Sequence, residues 1–243
     1  DGEDEQEPTL SEAVVVVNTA PTAPVVGLDP IEGDITTTFE CVVLEGGSDA
    51  DNDPLSYRRQ WRVNGYLNPQ VEGTFVIAET LVSDESASVA KRGDAVQCEV
   101  SADDGQALST PALSAPITLG NSLPSGGLVI VGPQGATDGV TMTCTVSGGY
   151  DADDDPISWT IAWQINGQTL EGEAGIELNS PEVSKGAAVT CSATPSDGID
   201  EGASIPSGNQ IIIANSAPFP PTVSLAPAIA TVCLLYTSPS PRD

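Results

Sequence analysis

This chain contains no histidine, and only 7 of its 243 residues are lysine or arginine. Without imidazole, Ser-His-Asp triads, histidine general bases and most zinc or iron sites are excluded. The scarcity of cations leaves a net charge of -28, from 35 acidic residues against 7 basic ones. Such a surface repels nucleic acid and anionic membranes, so neither is expected as a partner. Aromatic residues make up 4% of the chain and methionine occurs once, so few large side chains are on hand to fill a core. Apolar runs are short, well below the ~20 residues a membrane-spanning helix needs.

What is present is one unit written twice. With Cys41 aligned to Cys144, Gly46-Gly47-Ser48-Asp49-Ala50-Asp51-Asn52-Asp53-Pro54 matches Gly148-Gly149-Tyr150-Asp151-Ala152-Asp153-Asp154-Asp155-Pro156. Trp61-Arg62-Val63-Asn64-Gly65 then matches Trp163-Gln164-Ile165-Asn166-Gly167, and Cys98 matches Cys191. Asn18-Thr19-Ala20-Pro21 recurs at Asn121-Ser122-Leu123-Pro124 and at Asn215-Ser216-Ala217-Pro218. Each unit has the size of a small domain, so the chain is a tandem array rather than a solenoid of short repeats. The expected divisions are residues 18–120 and 121–214, with 1–17 as the last strand of a preceding copy and 215–232 as the first strand of a following one. Residues 233–243 break the pattern. The string from Cys233 to Asp243 resembles the conceptual translation of a transposase-type sequencing adaptor and is left out of fold reasoning as a non-native tail.

Apolar and polar residues alternate with period two. Val140, Met142, Cys144 and Val146 share one face, with Thr141, Thr143, Thr145 and Ser147 on the other. Ile157, Trp159, Ile161, Trp163 and Ile165 form a second stripe, matched by Leu55, Tyr57, Arg59, Trp61 and Val63. Arg59 is the odd member and is expected near an edge. These patterns are half-buried antiparallel strands. Asn64-Gly65 and Asn166-Gly167 suit type I′ hairpin turns, where both central residues need positive φ. Helix is nearly absent, and 20 prolines and 24 glycines break up the remainder. Cysteine on an early strand, tryptophan on the next and cysteine on a late strand is the order of an immunoglobulin-like β-sandwich. The fold class is therefore all-β, with tandem immunoglobulin-like sandwiches. The expected disulfides are Cys41–Cys98 and Cys144–Cys191, with the tryptophan packed over each, and they place the chain outside a reducing cytoplasm, extracellular or at the cell surface.

The chemistry lies in the acidic loops. Asp49, Asp51 and Asp53, and likewise Asp151, Asp153 and Asp155, put carboxylates at alternate positions between the first-cysteine and tryptophan strands. Calcium takes six to eight oxygens in flexible geometry, and such a loop offers three from one turn. It is not an EF-hand: Pro54 and Pro156 stand where that loop needs glycine, and the flanks are strands. In an immunoglobulin-like sandwich this loop shares an end with the loop after the second cysteine and with the incoming chain. Asp104 is therefore expected to join the first set beside residues 18–21, and Asp197 the second set beside residues 121–124. The opposite end carries a basic turn, Lys91 and Arg92 or Lys185, expected to face the next acidic end. Arg92-Gly93-Asp94 is the integrin-binding string, but its counterpart is Lys185-Gly186-Ala187, so the shared feature is a basic residue before a turn glycine. Paired carboxylates also invite a glycosidase reading. Repetition of the same loop in both units argues against a unique catalytic cleft, so no enzyme activity is expected.

The string D-A-D-x-D-P, followed by a Tyr or Trp strand and then Asn-Gly, resembles bacterial extracellular Ig-like modules, including cadherin-like and polycystic-kidney-disease-type repeats of surface proteins. The resemblance covers residues 18–214. Its linker differs, with Asn-Thr/Ser-x-Pro in place of the cadherin inter-domain motif. The resemblance implies calcium, adhesion and stalk building. The expectation is a calcium-stiffened structural or adhesive segment of a large secreted or surface protein. Its partners are neighbouring repeats and a surface protein or carbohydrate ligand. The alternative is a non-catalytic accessory region of a secreted hydrolase, with carbohydrate as ligand.

Overall fold

The computed structural model describes residues 9–83 and 88–223. In the first repeat, β1 (Val25–Asp29), β2 (Thr38–Glu45) and β5 (Phe75–Ile77) form one sheet in the order β1-β2-β5. β3 (Ser56–Val63), β4 (Tyr66–Glu72), β8 (Ala95–Asp103) and β10 (Ile117–Thr118) form the facing sheet, ordered β10-β8-β3-β4, and β9 (Ala112–Leu113) also pairs with β8. A small hairpin of β6 (Val82–Ser83) and β7 (Ser88–Val89) lies off both sheets.

The second repeat has the same plan. β11 (Leu128–Gly132), β12 (Met142–Ser147) and β15 (Glu177–Leu178) make one sheet. β14 (Gln168–Thr169), β13 (Ser158–Ile165), β16 (Ala188–Ser196) and β17 (Ile205–Pro206) make the other, with β18 (Ile211–Ile212) on β16. All these ladders are antiparallel, and the chain is a tandem of immunoglobulin-like β-sandwiches.

The faces follow the alternation. Along β16, buried and half-buried positions alternate without interruption. Both Asn-Gly turns have positive φ at each residue: 50° and 81° at Asn64 and Gly65, 52° and 78° at Asn166 and Gly167. Each Asn side chain also accepts the amide of the next long strand, Ala95 at 2.9 Å and Ala188 at 3.0 Å, so the turn residue fixes the neighbouring strand.

Each sandwich closes over a disulfide, Cys41–Cys98 in the first and Cys144–Cys191 in the second. Trp61 lies directly across from Cys98 in the ladder, and Trp163 across from Cys191. Both indoles are fully buried. Their Nε1–H groups donate to the carbonyls of Gly73 at 3.2 Å and Gly175 at 2.8 Å, which satisfies the one polar atom each brings inside. Two separate apolar clusters result, one around each tryptophan. Arg59 is half-buried, and its Nε donates to the Cys41 carbonyl at 3.3 Å. Ile161, at the same place in the second repeat, is buried core.

The described residues at the two ends carry no strand. Residues 9–17 form no strand, and Val14, Val15, Val16 and Val17 are exposed. A last strand needs a ladder partner, and none of the described residues supplies one. Residues 215–223 likewise carry no strand. The remainder of the expected strand at 215–232, and the tail at 233–243 with Cys233, lie outside the described residues.

Candidate metal centre at the acidic loops

Each acidic loop is built by its first aspartate. Asp49 Oδ1 accepts the amides of Asp51 at 2.8 Å and Asp53 at 3.2 Å, and Asp151 Oδ1 accepts those of Asp153 at 2.9 Å and Asp155 at 3.2 Å. This is an Asx turn. Its fourth residue takes a left-handed φ of 63° in both copies, and Asn52 and Asp154, which tolerate that conformation, stand there. The loop is thus shaped by local sequence before any ion is considered.

The linkers close onto these loops. The Thr19 amide donates to Asp51 Oδ2 at 2.7 Å, and the Ser122 amide to Asp153 Oδ2 at 2.6 Å. The Asn18 side chain donates to Asp104 Oδ2 at 3.0 Å, while Asn121 donates to Asp197 Oδ2 at 2.7 Å and Asp200 Oδ2 at 3.0 Å. Asp104 Oδ1 accepts the amides of Gln106 and Ala107, and Asp197 Oδ1 those of Ile199 and Asp200. Asp104 and Asp197 are therefore already engaged in shaping their own turns and clamping the linker. Sequence reasoning saw the recurring linker Asn without its task, and it missed Asp200.

Three loop oxygens have no such partner. Asp49 Oδ2, Asp151 Oδ2 and Asp153 Oδ1 are buried and accept no hydrogen bond, and neither does the buried Ser122 hydroxyl form one. A buried carboxylate oxygen without a donor is costly, and a bound cation is one remedy. In the second loop, one oxygen each from Asp151, Asp153 and Asp155 lie within 4.8 Å of one another. Among the described residues no other group of three acids converges so closely, so Asp49, Asp51 and Asp53 share the turn but not this convergence.

The hydrogen bond from Asn18, followed by those from Ala107 and Gln106, lowers the Asp104 pKa below its ordinary value. The Asp200 amide, followed by Asn121, does the same for Asp197. A depressed folded-state pKa contributes stability that is complete above the ordinary value, about 4, and is lost as pH falls through the depressed value. Acid should therefore release both linker clamps. In chelator, carboxyl-carbon NMR titration should place both midpoints below about 3.9. Asn18→Ala should return the Asp104 midpoint toward that value and leave Asp197 unmoved. An Asp104 midpoint indifferent to Asn18→Ala would remove the clamp from the account.

The basic turn of the first repeat reaches this region. Arg92 Nη1 donates to Asp155 Oδ2 and to Asn121 Oδ1. Gly93 supplies the positive φ of the turn, at 90°, as Gly186 does at 86°. Asp94 Oδ1 accepts from the Asn64 side chain at 2.9 Å and Oδ2 from the Lys91 amide at 2.8 Å. Both charged groups of the Arg-Gly-Asp string are thus engaged within the chain.

No protein-family model matches the chain, and no curated protein does. Among solved structures it is similar to the FN1–FN3 domains of chicken CNTN1, at 15% identity over 82% of this chain and 69% of that one, with a TM-score of 0.31. It is also similar to the chicken interferon gamma receptor alpha chain, at 14% identity over 82% and 100%, with a TM-score of 0.35. A segment of two fibronectin type III domains from chicken tenascin matches at 13% identity over 80% and 99%, with a TM-score of 0.33. The fold assignment rests on the strand order and the two cores described above.

Proposed function

We propose that this chain is a structural or adhesive stalk segment of a secreted or cell-surface protein, with calcium stiffening its acidic junctions. The observation that carries the reading is the set of buried, unpartnered carboxylate oxygens on Asp49, Asp151 and Asp153 beside the linkers. Hard oxygen donors in a flexible loop suit calcium. Asp151, Asp153 and Asp155 would hold the ion in the second repeat, and Asp49, Asp51 and Asp53 in the first. Asp104 and Asp197 order the linker alongside. The ion would neutralise like charges and tie loop to linker, because Asp51 and Asp153 already bond the linker amides. The two disulfides fit an oxidising compartment. Tandem sandwiches add length, and the absence of a helix long and apolar enough to cross a membrane, among the described residues, is compatible with a stalk.

Calorimetry should show calcium binding with Kd of about 10⁻⁴ to 10⁻³ M, the range of extracellular modules. Small-angle scattering should show a more flexible array after chelation, with both cores folded. An unchanged profile, together with no heat at millimolar calcium, would leave the loops as plain acidic turns.

A further inference from the structure

Few basic residues are available, so one aimed at the acidic end of a neighbouring repeat stands out. Arg92 bonds Asp155 of the second acidic loop and Asn121 of the linker, and Asn121 in turn bonds Asp197 and Asp200. One guanidinium thus joins the basic turn of the first repeat to the linker and the acidic loop of the second and, through Asn121, to the turn of Asp197 and Asp200. Its pKa is raised, first by the Asp155 hydrogen bond and further by the charges of Asp155, Asp153 and Asp197.

The two acidic loops differ where this arginine is concerned. They share the Asx turn, the left-handed fourth residue and the linker amide bond. Only the second brings three carboxylates within 4.8 Å, and only the second is touched by a cation among the described residues. Gathering three carboxylates without a counter-charge is opposed by their repulsion, and a guanidinium on one of them relieves part of it. The gathered site also has donors that Arg92 leaves free. Asp151 is 5% exposed with Oδ2 unpartnered, and Ser122, 2% exposed, has an unpartnered hydroxyl and an amide bonded to Asp153.

We propose that Arg92 is a positioning residue for the second metal site, supplied by the preceding repeat, so that the site is fully assembled only when the two repeats are docked. This rests on the calcium reading above. Calcium would take Asp151, Asp153, Asp155 and the Ser122 hydroxyl, while Arg92 holds Asp155 from outside. The guanidinium also repels a divalent ion, but the surrounding aspartates, Asp151, Asp153, Asp155, Asp197 and Asp200, keep the cluster strongly negative with Arg92 present. The gain from assembling the loop is therefore expected to outweigh that repulsion. Linkage is reciprocal: if docking through Arg92 strengthens calcium binding, calcium strengthens docking by the same factor. That would be the mechanism of stiffening at this junction.

The test uses the full chain with the first loop silenced by Asp51→Asn and Asp53→Asn, so that calorimetric calcium titration reports the second loop. Adding Arg92→Ala should weaken binding about tenfold, within the usual range of coupling between sites. Arg92→Lys, which keeps the charge, should weaken it less. Melting of the sandwiches should be unchanged, because Arg92 lies outside both cores. Scattering in chelator should show a looser junction in Arg92→Ala than in its parent. Calcium binding that is unchanged or tighter in Arg92→Ala overturns this inference and leaves the calcium reading standing. No binding in any of these proteins overturns both.

Discussion

Replacing Cys144 and Cys191 together by alanine is expected to destabilise the second sandwich by about 4 kcal/mol. The bond joins residues 47 apart, so its removal restores much conformational freedom to the unfolded chain. Both sulfurs also lie in the core. The loss is large relative to the ~5–15 kcal/mol that holds a typical domain folded. Little else compensates, because the cluster around the bond is mostly Val, Ile, Leu and Ala, with Trp163 its one fully buried aromatic. Denaturant unfolding followed by tryptophan fluorescence would measure it. The transition of the first repeat, which keeps Cys41–Cys98, should stay in place. A loss under about 1 kcal/mol would show that the chain-entropy account does not hold for this sandwich.

Trp163→Ala is expected to cost about 3–5 kcal/mol, the range for emptying a fully buried large aromatic site. Trp163 is 0% exposed, sits opposite Cys191 and bonds the Gly175 carbonyl. Alanine therefore opens a cavity against the disulfide and leaves that carbonyl without its donor. Trp163→Phe should cost less, roughly 1–3 kcal/mol, since it keeps most of the ring but loses the N–H donor. Thermal or denaturant unfolding of the two variants should rank them in that order. Near-equal costs would mean that the hydrogen bond outweighs the packing, contrary to the burial. Because Trp163 and Cys191 are neighbours, combining this change with loss of the disulfide should not give additive costs. Complete burial also leaves no face of either core tryptophan for stacking on a ligand.

Much of the fold was legible in the chain because it is encoded locally and written twice. Period-two alternation assigns Met142, Cys144, Ile161 and Trp163 to the interior, and all four are buried. The paired Asn-Gly turns needed positive φ and have it. The disulfide partners follow from register, since both cysteines of a pair lie in core phase on strands of facing sheets. Arg59 broke the alternation, and the sandwich absorbs it by giving its guanidinium a backbone carbonyl.

The acidic loops were legible as turns and as clusters of charge. Their internal differences were not. Asp104 and Asp151 are both acids at one end of a sandwich, yet one is engaged by Asn18 and its own turn while the other keeps a buried oxygen unpartnered. Residues 1–17 read as the last strand of a preceding copy, and a strand forms only where a neighbour completes its ladder; residues 9–17 carry none here. Sequence by itself determined the strands, their faces, the turns and the disulfide pairs, because each depends on residues a few positions apart or on a repeated register. The sequence placed the basic turn of Lys91 and Arg92 facing the next acidic end; the tertiary structure alone decided which carboxylates converge, which clamp a linker, and that Arg92 rather than Lys91 takes Asp155 as its partner. The asparagine clamps and the Arg92 contact join groups 63 to 86 residues apart, as with Arg92 and Asp155 or Asn18 and Asp104, brought within hydrogen-bond reach by packing.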